Sequence, residues 1–421
     1  RGWCILFFAG PPVAVLAYLV VIAIGQGVFE PLPRQDYSIY ERTLTQGRVL
    51  VDYLRHWFVP DMYTAGVFQD HVIKSTGLLS PVTTALSWFT HGALIAAAVV
   101  WRRRWPLFAL AVLFFYAAHV LESTFVGLEM YYEHRNYLAA AFLFLPIIAL
   151  LAKLDKWVFA AISVAVLLLF ATFTHRSATI WSNYPDMVAA AAEKAPTSIR
   201  AQARYATTLY NAQHYAEALT VLDDAIRNIP GAHAELFVNR LYMQCNLGLL
   251  TDDELARVAP DFQGLYFRPG LFSLYNAMIE SVVRGNCPAV QPASLRAPLA
   301  SMLENPLNAA SDSFSHARIY YFLGVLDLEA GNLDRATTSF DTSLSGTPDA
   351  ILGMRIARQF ANRGHTEEAL RYADDVAALL LGGRIDAASA GVAIEEVDAF
   401  QSAVRADRDA QQDSDSDRPD P

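Results

Sequence analysis

Before residue 175 the chain carries apolar runs of roughly 18 or more residues, and after about residue 200 it carries none. Coiled as a helix, a run of that length crosses the hydrocarbon core of a bilayer and satisfies its own backbone polar groups there. The expected fold class is therefore all-α and bipartite. A polytopic transmembrane helix bundle occupies 1–176, and a soluble α-solenoid of helix-turn-helix repeats follows it. The bulk composition, 54% hydrophobic with a mean hydropathy of +0.24, averages over these unlike halves.

Five spans are expected, at 3–24, 81–101, 105–121, 137–151 and 157–173, with Pro11 and Pro12 kinking the first and the fourth being short. The first run has no small-residue cleavage site and reads as a retained helix. With no methionine before Arg1, the sequence reads as part of a longer protein. Arg102, Arg103 and Arg104 sit between the second and third spans, Lys153 and Lys156 between the fourth and fifth, and Arg1 before the first. Basic turns stay cytoplasmic, so all three positions give one topology. It places loop 25–80, loop 122–136 and everything after Thr174 on the opposite face. The Ala-rich composition and short loops suggest a bacterial inner membrane, with a linker at 177–198 and the repeats in the periplasm.

The formal net charge of −10 lies largely in the second half and argues against nucleic acid as a partner, because backbone binding needs a basic surface. Cys4, Cys245 and Cys287 have no metal-ligand spacing, and no metal is expected. A disulfide between Cys245 and Cys287 stays open for a chain outside the cytoplasm.

Two polar stretches stand out in the membrane half. Tyr40 to Phe58 has Leu44, Val49 or Leu50, Tyr53 or Leu54, and Trp57 at helical spacing, which predicts an amphipathic helix at the membrane surface with Arg48, Asp52 and Arg55 toward water. It serves either as part of a site or only as an aromatic cap on the bundle. Leu121 to Leu138 crowds Glu122, Glu129, Glu133, His134 and Arg135 into a connection at the bilayer boundary, where ionisable groups are costly unless paired or facing a wet cavity. Arg135 suits bidentate contact with phosphate, His134 can exchange a proton near neutral pH, and Lys74 can bring another cation. Glu133, Glu129 and Glu122 are the candidates to orient them. The competing reading is that these charges only stitch helix ends together, as Glu133 or Glu122 with Arg135.

From Ile199 the chain threads on a 34-residue period. Residues 199–230 place Tyr205, Ala206 and Leu209 in one helix and Ala218, Leu222 and Ala225 in the next. Residues 319–348 repeat the pattern with Leu323, Gly324, Ala336 and Phe340, but Asp327 stands where Leu209 predicts a bulky apolar group. Residues 351–380 fit with Ile356, Ala357, Phe360 and Ala369, one residue out of a strict 34-residue register. Small residues let paired helices approach and large ones fill between them. Residues 232–315 read as degenerate, with helices at Leu236 to Leu250 and Leu271 to Val283. The solenoid is expected over 199–399, its concave face taking a protein or peptide, and 400–421 as a disordered acidic tail.

The strings Glu41-Arg42-x-Leu44-Thr45-Gln46-x-Arg48-Val49-Leu50 and Glu122-Ser123-Thr124 through Tyr132-Glu133-His134-Arg135-Asn136-Tyr137-Leu138 resemble bacterial multi-span proteins that end in tetratricopeptide repeats. Their layout is similar to that of the eukaryotic transmembrane and tetratricopeptide-containing O-mannosyltransferases. The resemblance covers nearly the whole chain, and Glu133 to Leu138 is its most specific part. It implies a lipid-linked-sugar glycosyltransferase of the GT-C-like class, with a polyprenyl-phosphate sugar donor whose tail lies against spans two to four. The acceptor would be a periplasmic or surface protein. The family's acidic catalytic residues lie in a first outer loop that has no counterpart in this sequence, so no catalytic residue is assigned. Arg135 and His134 would contact the carrier phosphate. The alternative is a non-enzymatic, membrane-anchored repeat scaffold for envelope or pilus assembly.

Overall fold

The computed structural model describes the chain apart from residues 1–12, 19, 22–23, 26, 30–36, 60–63, 65, 121, 124–127, 230–233, 269, 347, 383–390 and 417–421. The protein is all-α, with no β-sheet among the described residues. It divides into two compact units, 1–230 and 231–421.

In the first unit, α1 (Ile39–Phe58) starts at a reciprocal cap. Ser38 Oγ accepts from the Glu41 amide at 3.2 Å while the Glu41 carboxylate accepts from the Ser38 amide at 2.9 Å. Its buried face (Val49, Leu50, Tyr53) packs on Phe115, Tyr131 and Ala139. α2 (Thr83–Trp101) packs against α1 and against α3 (Pro106–His119). A short helix, α4 (Asn136–Ala139), and α5 (Leu145–Leu151) follow, then α6 (Lys156–Trp181), capped by Asp155 accepting from the Trp157 amide at 2.8 Å. α7 (Tyr184–Lys194), α8 (Ile199–Asn211) and α9 (Tyr215–Asn228) complete it.

Of the five expected spans, those at 81–101 and 157–173 correspond to helices long and apolar enough to cross a membrane, α2 and α6. The span at 105–121 is a 14-residue helix, about 21 Å long against a core of about 30 Å. The span at 137–151 is not one helix. Pro146, which lacks an N–H and restricts the residue before it, starts a new helix at α5, and a turn separates this from α4. The span at 3–24 lies largely outside the described residues, of which 13–18, 20–21 and 24 are helical. Helices replace the linker expected at 177–198, because α6 runs on to Trp181 and α7 follows. Phe68 packs with Val188, Ala191, Ala192 and Ala201, which places α7 and α8 in the first unit.

The second unit holds α10 (Ala234–Asn246), α11 (Asp252–Val258), α12 (Leu271–Val283), α13 (Arg296–Ser301), α14 (Pro306–Ala309), α15 (Phe314–Glu329), α16 (Leu333–Leu344), α17 (Ala350–Ala361), α18 (Thr366–Leu381) and α19 (Ile394–Ser416). The pairs α15/α16 and α17/α18 pack closely, as do α8/α9 in the first unit. One turn recurs in all three pairs. The residue past the first helix takes a positive φ (Gln213 66°, Gly331 75°, Gly364 80°), and the next amide donates to a carbonyl five residues back. These bonds run from His214 to Leu209, from Asn332 to Asp327 and from His365 to Phe360. Leu209, Asp327 and Phe360 are thus equivalent positions.

Asp327, the apparent misfit, is 2% exposed and accepts from Arg296 Nε at 2.9 Å and from Ser339 Oγ at 3.3 Å. Close approach governs the neighbouring Gly324, where a Cβ would lie 2.7 Å from the Phe340 ring. The tail expected to be disordered from residue 400 is helical through Ser416. Val397, Phe400 and Val404 form a narrow apolar stripe against the core, and the Gln401 amide donates to Asp374 at 2.7 Å. The acidic composition of the tail masked that stripe.

Asp327→Ala leaves the Arg296 guanidinium and the Ser339 hydroxyl without their buried acceptor. A loss of about 2 kcal/mol is expected, less than for a fully buried pair because Arg296 is partly exposed. A lowered urea midpoint at unchanged m would record it; an unchanged midpoint would mean that the carboxylate contributes nothing.

Candidate functional site

The connection from α3 to α4 is held from below by side chains of α1. Arg42, 0% exposed, donates through Nη2 to the Glu122 carbonyl at 2.8 Å and through Nη1 to the Leu128 carbonyl. Tyr37 Oη also donates to the Leu128 carbonyl, at 2.7 Å, and Gln46 Nε2 to the Met130 carbonyl at 2.7 Å. About two α-helical turns further on, Tyr53 Oη donates to the Tyr132 carbonyl and accepts from the Tyr132 amide, both at 2.8 Å. The Asn136 amide group closes the set by donating to the Tyr53 carbonyl at 3.1 Å. Loop carbonyls without a partner would be costly when buried, and so would an unanswered guanidinium. Burial lowers the Arg42 pKa and nearby Arg135 adds to this, while the Tyr37 phenol opposes both.

Beside this anchor, Tyr131 Oη donates to Asp52 Oδ2 at 2.8 Å and lies 3.0 Å from His56 Nδ1. Burial first, then the Asp52 carboxylate, raise the Tyr131 pKa well above its ordinary value. His119 is buried and stacks on the Tyr53 ring with centroids 5.5 Å apart.

The expected site residues are gathered only in part. Arg135 Nε is 3.6 Å from Glu122 Oε2, its Nη1 donates to the Glu129 carbonyl at 2.6 Å, and its guanidinium lies 5.3 Å from the centre of the Tyr132 ring. Its side chain is 9% exposed, so much of the guanidinium is committed to the loop. His134 is exposed, with its ring 4.9 Å from that of Tyr132. Glu133 accepts from Gln69 Nε2 at 3.0 Å. Lys74 Nζ is 3.8 Å from Glu41 Oε1, at the N-terminal end of α1. Glu129 directs its carboxylate to Arg200, whose Nη1 and Nη2 donate to its two oxygens at 3.0 and 3.2 Å.

Arg200 lies outside both polar stretches singled out in the sequence, in α8. It also lies 3.4 Å from Asp70, whose carboxylate accepts from Ser198 Oγ at 2.5 Å and from the Arg200 amide at 3.1 Å. Burial alone would lower the Arg200 pKa, but the Glu129 and Asp70 carboxylates outweigh it and raise it. The residues missed in α1 had a readable signal. Arg42, Gln46, Val49 and Tyr53 fall on one helical face, and a stripe that mixes polar with apolar side chains requires hydrogen-bonding partners on the surface it meets.

Two outcomes are expected of the anchor. Arg42→Met should release the loop and raise amide exchange across 128–136 at least tenfold, read by hydrogen-exchange mass spectrometry; unchanged protection would remove Arg42 from the anchoring role. Burial pushes the Tyr53 phenol up to about 12 from 10.0. A raised acid contributes stability that is complete below pH 10 and is lost as pH rises toward 12, at up to about 1.4 kcal/mol per pH unit. Unfolding at pH 9 and 11 should show that slope in the native chain and a shallower one in Tyr53→Phe; equal slopes would assign the titration elsewhere. Compared with known protein families, curated proteins and solved structures, the chain matches none.

Proposed function

We propose that the chain belongs to a membrane glycosyltransferase that takes a sugar from a polyprenyl-phosphate donor and gives it to a periplasmic or surface protein. The finer architecture that goes with this reading is a multi-span bundle in a bacterial inner membrane, bearing a tetratricopeptide-like array on the non-cytoplasmic side. The observation that carries it is an apolar cavity of about 300 Å³ in the first unit. It is bounded by Leu54 and Phe58 of α1, Trp105 and Phe115 at α3, and Leu143 and Ile147 around α5. Phe115 also packs against Tyr53 and Tyr131, so the cavity and the loop anchor share a wall. The cavity would take the first few isoprene units of a prenyl tail, whose phosphate would then meet the polar loop.

In such a transfer the acceptor hydroxyl attacks the sugar's anomeric carbon, the bond to the phosphate oxygen breaks with its electron pair leaving on phosphate, and the hydroxyl proton ends on the released phosphate. Cations fixed at that oxygen stabilise the developing charge. Exposed His134 can donate to it directly. Arg135 can do so by exchanging Glu122, which stands at 3.6 Å, for the phosphate, while its bond to the Glu129 carbonyl keeps the guanidinium oriented. Glu122, Glu129, Glu133 and Lys74 complete the charge around the loop.

A second reading, the repeat scaffold, is favoured by a groove of about 400 Å³ in the second unit. Tyr321, Arg355, Arg358 and Gln359 line it, a polar surface suited to a peptide.

Binding of a radiolabelled polyprenyl-phosphate sugar to the full chain in nanodiscs tests the first reading. Specific binding is expected, weakened at least tenfold in Arg135→Ala, or about 1.4 kcal/mol. A folded chain that binds no donor would overturn it and leave the scaffold as the working function.

A further inference from the structure

Cys245 and Cys287 are both buried, at 0% and 1% exposure, in one large core cluster of the second unit. Cys245 occupies the last turn of α10, which packs against α12. The chain leaves α12 through Gly285, at φ 77°, and the Asn286 amide turns back to the Ser281 carbonyl at 2.9 Å. Ser281 Oγ in turn donates to Asn246 Oδ1 at 3.2 Å, tying the end of α12 to the residue beside Cys245. The turn therefore returns Cys287 toward the end of α10, which brings the two buried thiols close enough to influence each other.

We propose that Cys245 and Cys287 form a disulfide in the mature protein. This rests on the proposed topology, which places residues after 174 in an oxidising compartment. The oxidant is the disulfide of a thiol–disulfide oxidoreductase. The Cys287 thiolate attacks one of its sulfurs, forming a mixed disulfide and releasing the other sulfur as thiolate. The Cys245 thiolate then attacks Cys287 Sγ, closing the Cys245–Cys287 bond and releasing the second oxidoreductase sulfur. Two electrons reduce the oxidoreductase and two protons leave the cysteines. The two cysteines can exchange roles in this sequence of attacks without changing its product. Because both sulfurs are enclosed in the folded unit, the exchange belongs to folding, before α10 and α12 close.

The full chain is extracted without reductant, denatured, and labelled with a maleimide before and after reduction, with mass spectrometry counting labels. One label, on Cys4, is expected before reduction and three after it, while Cys245→Ser should carry two throughout. Reduction should also lower the melting temperature by about 10 °C, as expected for opening a loop of roughly 40 residues. The same labelling is run on reduced chain refolded with oxidised glutathione. Three labels before reduction in both samples overturns the pairing. Three labels in the extracted chain but one after refolding keeps the pair competent and overturns the topology. The wild-type count decides even if the serine variant does not fold.

Discussion

The first unit depends on how a buried guanidinium is satisfied. Arg42 is fully enclosed, and the carbonyls it meets belong to a segment eighty and more residues away that has little regular structure of its own. Desolvating the cation costs several kcal/mol unless its N–H groups are answered, and loop carbonyls lose as much if they are enclosed without donors. Each therefore stabilises the other, and neither is favourable alone. Gln46 and Tyr53 extend the same exchange along α1, so that the loop from Leu128 to Tyr132 is laid against the helix by its backbone while its side chains are left to other work. This is how an irregular loop can hold Glu133, His134 and Arg135 in one place.

A second joint acts from the other side. Asp70, Glu129 and Arg200 come from three separate segments, and all three segments are expected on one face of the membrane from the placement of basic residues alone. Their meeting involves no hydropathy, so it supports the proposed topology independently. It also gives Glu129 a different part from the one its position suggested. Its carbonyl orients Arg135 while its carboxylate holds the first helix of the hairpin α8/α9.

Periodicity was the legible part of the sequence. The recurring pattern of small and bulky residues set Leu209 against Asp327, and the shared turn geometry makes them equivalent. What could not be read was why an aspartate is tolerated there, because its partner Arg296 lies in the stretch that looked degenerate. Hydropathy likewise marked apolar segments without telling a continuous helix from one interrupted at Pro146. In the candidate site the charged residues were recognised with two readings, a ligand site or ion pairs between helix ends, and Arg135 is indeed largely engaged by Glu122 and the loop backbone. Arg42 entered only as part of the string that carries the family resemblance, with no role of its own. Only its place on the face shared with Val49 and Tyr53 marks it as buried.

α6 carries the strongest physical argument about environment. It is 26 residues long, and none of its side chains is buried, including Trp157, Leu167 and Leu168. A soluble protein rarely leaves so much contiguous apolar surface in water, since each fully exposed large side chain forgoes about 1.5–3 kcal/mol of burial. Tertiary contacts within the described residues do not cover this helix, so its stability has to come from what surrounds it. At about 39 Å it exceeds the hydrocarbon core of a bilayer, and Asp155, Lys153 and Lys156 gather at its start while Arg176 and Ser182 lie near its end. Under the proposed architecture, lipid would supply the missing apolar neighbours at the right length and let those polar ends reach water, whereas a second protein would need a matching apolar groove along the whole helix.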